Sequence, residues 1–173
     1  MNNVMVDIET FGTDSNSVIV SISAVKFDIN TGELGSTFEI GLDIQEQLDN
    51  GAVIDGSTVM WWLEQSKEAQ HELTRIDRID VASALSHFNS FLYPTPDALW
   101  GNGATFDNVI VRNLHKRHKI EFRVPFWADR CVRTYVDMND INTRDFKFVG
   151  TKHNGIDDCL HQIKYMTTEV KNG

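Results

Sequence analysis

The chain has 173 residues, 41% of them apolar and 24% charged, with three prolines and eleven glycines. That is enough apolar mass for one packed core, it excludes a disordered chain, and it leaves little room for a long linker. The formal net charge of −9 argues against gripping a long polyanion nonspecifically. No apolar run approaches the roughly 18 residues of a membrane helix, and Asp7 and Glu9 interrupt any secretory signal at once, so the expectation is a single domain over residues 1–173, cytoplasmic and without membrane association.

The first element is a buried strand over Asn3–Ile8, "NVMVDI", with Glu9 at its end. Val18–Asp28 is rich in β-branched residues and partly alternates, and Asn30-Thr31-Gly32 supplies a turn. Glu33–Leu42 reads as a third strand, so three strands joined by short connections form an antiparallel meander. A helix starts at Ser57, with Ser57 or Thr58 as its N-cap, and runs through "TVMWWLEQS". Asp80–Phe91 is a second helix, with Val81, Leu85, Phe88 and Leu92 at helical spacing. Pro94 and Pro96 end it.

"ALWGN" over Ala98–Asn102 is a short strand, after which Thr105 caps a helix reaching about Lys119. Its apolar side is Phe106, Val109, Ile110 and Leu114. Phe126–Val132 reads as a fifth strand. The last helix runs from about Gly155 to Val170 on an inner stripe of Ile156, Leu160, Ile163 and Thr167. The order β-β-β-α-α-β-α-β-α gives an α/β fold, a mixed five-stranded sheet with helices on its faces. Cys131 and Cys159 have no metal-type spacing and read as reduced, unpaired thiols.

Charge is uneven along the chain. Residues 1–100 hold 4 Lys/Arg against 16 Asp/Glu, and residues 101–173 hold 12 against 9. The basic groups gather in "RNLHKRHK" and beyond, as either the solvated face of a helix or a strand-guiding patch.

Against that background three acidic segments are informative. Asp7 and Glu9 stand two apart on a strand, so both side chains point to one face, at the strand end where ligands bind in open sheets. Alone they are equally two exposed acids. Asp107 opens a helix after a glycine-rich turn, where the helix dipole favours an acid in any case. His153 lies in a loop and Asp158 about one turn into the last helix, with Asp157 as a competing acid. Four carboxylates gathered at one point repel one another, and bound cations relieve that repulsion. Carboxylate oxygen is what Mg²⁺ and Mn²⁺ prefer.

Taken in order, "DIETFG", "GNGATFD" and "HNGIDD" resemble the motifs of the DEDDh 3′-5′ exonucleases, the DnaQ-like superfamily. "TVMWWLEQS" resembles the branch that holds the phage exonuclease A and a mycobacterial exoribonuclease. The resemblance spans the chain, and the three motifs together are specific where each alone is not. It implies a ribonuclease H-like fold and two divalent ions, Mg²⁺ or Mn²⁺. Asp7, Glu9 and Asp158 would hold one, and Asp7 with Asp107 the other. His153 would take a proton from water, a task that suits an unperturbed pKa of about 6.5. The implied substrates are 3′ ends of single-stranded DNA or RNA, with DNA favoured, and the products are nucleoside 5′-monophosphates. Relatives often pair, so a homodimer fits.

Thr10, Phe11, Gly12, Trp61, Asn102 and Phe106 are the candidate substrate contacts. Phe11 stands where many relatives carry Thr, and either stacks on a base or packs under the sheet. Trp61 and Trp62 point about 100° apart on a helix, so one faces the core and the other can wall a groove. Gly155 replaces a common Ala, with little effect expected. Two rivals remain: a non-catalytic clamp for nucleic-acid ends, disfavoured because all five positions are filled, and a ribonuclease H-type endonuclease, which fits the D-x-E pair and the His153–Asp158 spacing less well.

Overall fold

The computed structural model describes residues 1–168. Six strands form one mixed sheet: β1 (Asn3–Thr10), β2 (Ile19–Phe27), β3 (Leu34–Leu42), β4 (Arg78–Ile79), β5 (Ala98–Gly101) and β6 (Asp129–Cys131), in the spatial order β4-β3-β2-β1-β5-β6. β1, β2 and β3 pair antiparallel, as the meander requires. β5 lies parallel to β1, and β6 parallel to β5. The expected count of five strands is corrected to six. β4 is two residues long and pairs parallel with Gly41–Leu42 at the sheet edge, too short to leave a periodicity in sequence.

Alternation along β1 decides what the sheet presents to each side. Val4, Val6 and Ile8 join one core cluster, together with α4 (Val81–Phe91) and α5 (Asp107–Arg117). Met5 joins the other, with Cys159, Ile163 and Met166 of α7 (Gly155–Thr168). Asp7 and Glu9 share the parity of Met5 and therefore face α7. Helices thus cover both faces.

The remaining helices are α1 (Ile44–Asp49), α2 (Gly56–Leu63), α3 (Lys67–Arg75) and α6 (Val132–Met138). The order read from sequence omitted α1, α3 and α6. In α2 the N-cap is Asp55, which accepts from the Ser57 N–H at 2.9 Å, rather than Ser57 or Thr58. The helix stops at Leu63, and Ser66 caps α3 instead of ending α2. Thr105 caps nothing; Phe106 holds the N-cap position of α5 without a side-chain bond. Of the expected strand Phe126–Val132, the first three residues form a 3₁₀ turn and Val132 already belongs to α6.

The inner face of α7 runs through Cys159, Ile163 and Met166, while Ile156 and Leu160 are only partly buried. Ile163 and Thr167 of the expected stripe are buried, but Cys159 and Met166 take inner positions in place of Ile156 and Leu160, with Cys159 packing as a small apolar group. The expected extension to Val170 lies outside the described residues. Both cysteines are free thiols. No helix among the described residues is long and apolar enough to cross a membrane.

Gly155 corrects another expectation. A Cβ there would overlap Ser23 Oγ and meet Asp7 Oδ2 at 3.4 Å. Ser23 is the cross-strand partner of Asp7. The missing side chain therefore lets the start of α7 close on β1 and β2, and an alanine would have to displace Ser23.

Candidate active site

Three elements bring the acids together. β1 delivers Asp7 and Glu9, and its register shifts between Glu9 and Thr10, an irregularity that re-aims side chains at a strand end. Asp107, only 2% exposed, opens α5 but does not act as an ordinary helix-terminal acid. Its Oδ2 accepts the Asn102 N–H at 2.7 Å and its Oδ1 the Ile8 N–H at 3.3 Å. The carboxylate thereby bridges the ends of β1 and β5. Asp158 Oδ2 accepts the backbone N–H of His153 at 2.9 Å, which fixes the loop against α7. Asp157, the competing acid, instead accepts the Thr151 N–H at 2.8 Å and does not line the central cavity.

That cavity measures about 730 Å³, and Asp7, Glu9, Asp107, His153 and Asp158 all line it. Thr10, Trp61, Asn102 and Phe106 do so as well, whereas Phe11 and Gly12 do not. Phe11 is half-buried, with its backbone bonded to Val18 and Asp55. Gly12 accepts the Thr10 hydroxyl at 2.7 Å. Reading by motif missed Gln162 and Arg133, which also line the cavity. Gln162 stands four positions after Asp158, one turn along the same helix face, and donates to Asp7 Oδ1 at 3.4 Å, so helical spacing could have found it. Arg133 left no local signal, because only the placement of β6 beside β5 brings it here. Among the basic groups of the "RNLHKRHK" stretch, Arg112 is engaged within the fold, by both Asp129 oxygens at 2.7 Å. Arg117 bonds to Asn16.

His153 sits at φ +64°, a left-handed conformation uncommon for a side-chain-bearing residue. Its ring meets Trp61 edge-on at 5.3 Å and Trp62 at 5.4 Å between centroids. Trp62 is buried and donates its indole N–H to the Thr10 carbonyl at 2.9 Å, whereas Trp61 is 43% exposed. The tryptophan pair therefore ties the end of β1 to the histidine loop. From the other side, Asn154 donates to Glu72 at 2.8 Å.

Electrostatics follow from burying like charges together. Burial, then Glu9, Asp107 and Asp158, hold Asp7 well above the usual carboxylate range. Burial, then Asp158 and Asp107, do the same to Glu9. Burial pushes Asp107 up to about 6, against the opposing N–H bonds and Arg133. Asp158 rises to about 6 through burial, opposed by the His153 N–H. Burial and then Lys152 lower His153. Such a site favours a small hard cation: its donors are carboxylate oxygens, and positive charge would relieve their repulsion. Glu9, His153 and Asp158 each offer a ligand atom within 4.8 Å of the others.

An unfolded aspartate titrates near about 3.9, whereas folded Asp107 and Asp158 do so at about 6. The folded chain therefore binds more protons in that window. Their stabilising contribution is complete below the unfolded value and is lost as pH rises through about 6. A divalent ion binds the ionised folded site and opposes that loss. The gain in melting temperature on replacing EDTA by Mg²⁺ or Mn²⁺ should accordingly grow as pH rises from acid toward neutral. A gain independent of pH would show that the ions bind elsewhere.

A family model described as the 3′-5′ exoribonuclease Rv2179c-like domain matches residues 2–170. The exodeoxyribonuclease of Enterobacteria phage T4 is 24% identical over 203 residues, covering 96% of this chain and 88% of the phage protein. The nuclease domain of 3′hExo, a DEDDh family member solved bound to rAMP, superposes with a TM-score of 0.66 at 12% identity, covering 99% of this chain and 92% of that one. Exonuclease X, solved with 5′-overhanging duplex DNA, gives a TM-score of 0.59 at 13% identity over 98% of this chain and 91% of that one. The structural likenesses bear on the fold, a ribonuclease H-like mixed sheet flanked by helices.

Proposed function

The chain belongs to the 3′-5′ exoribonuclease Rv2179c-like family and is a DEDDh exonuclease acting on nucleic acid; from that premise we propose that it removes nucleotides one at a time from the 3′ end of single-stranded DNA. The observation that carries the reading is the convergence of Asp7, Glu9, Asp107, Asp158 and His153 on one cavity. In this reading Asp7, Glu9 and Asp158 hold one divalent ion, and Asp7 with Asp107 the second. When bound, such a pair stabilises the incoming and departing oxygens of an in-line displacement.

The chain's own groups do the rest. His153, whose basicity burial and then Lys152 lower, accepts a proton from the attacking water at a ring nitrogen. Gln162 steadies Asp7 through its amide. Trp61 offers an exposed aromatic wall, and stacking a base on such a ring is worth about 1–3 kcal/mol. Thr10, Asn102 and Phe106 line the same space for the terminal nucleotide. Phe11 and Gly12 would contribute only through the backbone of their loop. Residues 1–173 then act as one catalytic unit.

Similarity to the phage exodeoxyribonuclease across most of both chains supports DNA as substrate. The family's description favours a second reading, RNA. Matched 5′-labelled DNA and RNA oligonucleotides, incubated with Mg²⁺, Mn²⁺ or EDTA and resolved as ladders, separate the two. The expected result is a metal-dependent ladder losing single nucleotides, faster on DNA. A faster RNA ladder would reassign the substrate. No shortening of either, by folded protein, would leave only the clamp for nucleic-acid ends.

A further inference from the structure

The main cavity does not end at the acids. A second cavity of about 470 Å³ adjoins it, and Asn102 and Arg133 line both. Arg133 is the one Lys or Arg among the described residues lining the main cavity. It is exposed, and its Nε donates to Asn102 Oδ1 at 3.4 Å. The Asn102 backbone N–H in turn bonds Asp107. The guanidinium thus stands one residue away from the acids, on the ridge between the two spaces.

We propose that the second cavity holds the nucleotide upstream of the scissile bond, and that Arg133 takes the phosphate on that nucleotide's 5′ side. The inference rests on the exonuclease reading and names a part of the same site. A 3′-exonuclease holds one nucleotide beyond the bond it cuts and must pass the rest of the strand outward. Four carboxylates line the centre, so every further phosphate needs compensating positive charge, and Arg133 supplies it at the rim. A guanidinium binds phosphate with two parallel N–H bonds.

Past Arg133 the wall is mixed. Val136, Ile141 and Tyr165 offer apolar surface to a sugar or base, and Thr143 a hydroxyl. Asp137 and Asp140 also line this space. Their charge repels phosphate and keeps the backbone on the Arg133 side.

The number of phosphates provides the test. A dinucleotide without a 5′ phosphate carries only the scissile one, and adding a 5′ phosphate supplies the group assigned to Arg133. Dithymidylate and diuridylate would be compared with and without that phosphate, using wild type, Arg133→Ala and Arg133→Lys. In the wild type the 5′ phosphate should lower KM. Arg133→Ala should raise KM about 10- to 100-fold more for the phosphorylated form than for the other, the range for losing a hydrogen bond to a charged group. Arg133→Lys should restore part of the loss.

Equal losses on both forms, or no wild-type benefit from the 5′ phosphate, would overturn the assignment. If the wild type shortens no oligonucleotide, the exonuclease reading fails by itself. Anisotropy of labelled pentathymidylate and pentauridylate would then test the subsite directly. Binding weakened about tenfold by Arg133→Ala would support it, and unchanged binding would refute it.

Discussion

Asp158→Asn and Asp7→Ala should each reduce turnover to below about a thousandth of wild type while leaving the protein folded and, without metal, harder to melt. The rate loss follows from the site's construction. Removing one group that stabilises transition-state charge already costs on the order of 10²–10³ in kcat, and losing a ligand also removes cation affinity. The stability gain follows from the same burial. Asp7 is held far above the usual carboxylate range by burial and three neighbouring acids, so ionising it near neutral pH opposes folding. Asn at 158 keeps an oxygen that can accept the His153 N–H, and so the loop stays in place. Each kcal/mol of repulsion relieved should raise the melting temperature by roughly 2–4 °C for a chain of this size. Calorimetry in EDTA together with single-turnover assays reads both effects. A variant with wild-type turnover would overturn the metal assignment, and a sharply lowered melting temperature would mean that the acid is structural.

What could be read in the sequence divides along a physical line. Features set by local chemistry were legible. The parity of Asp7 and Glu9 follows from the two-residue repeat of a strand. Val81, Leu85 and Phe88 are all fully buried, as their helical spacing requires. His153 lies in the turn before α7, with Asp158 in that helix's first turn. Features set by tertiary placement were not legible. The two-residue β4 exists only because Arg78 and Ile79 fall beside Gly41 and Leu42. Gly155 was expected to be neutral, since nothing local reveals that the start of α7 presses on Ser23. Arg133 reaches the cavity rim through the β5–β6 pairing, a contact between segments about thirty residues apart in sequence. Asp107 shows both sides of this: its helix-terminal position was readable, but its reach back to the Ile8 and Asn102 N–H groups was not.

His153→Ala should lower kcat by about 10²–10⁴-fold, the range for losing a positioned general base, with much less change in KM. The geometry makes this more than a statement about one imidazole. The ring is packed edge-on against two indoles, and one of those is bonded to the Thr10 carbonyl at the end of β1. The base is therefore held relative to the acids by α2, through residues that carry no charge. Trp61→Ala should then also depress kcat, and Trp61→Phe, which keeps an aromatic edge against the ring, should recover much of the loss. If Trp61 served only as a wall for a base, its loss would appear in KM and would add to the His153→Ala defect. If it positions His153, the double variant should be little worse than His153→Ala alone, because the indole has nothing left to hold. Rapid-quench single-turnover rates across this cycle distinguish the two roles. A His153→Ala enzyme as fast as wild type at neutral pH would remove the histidine from the reaction altogether.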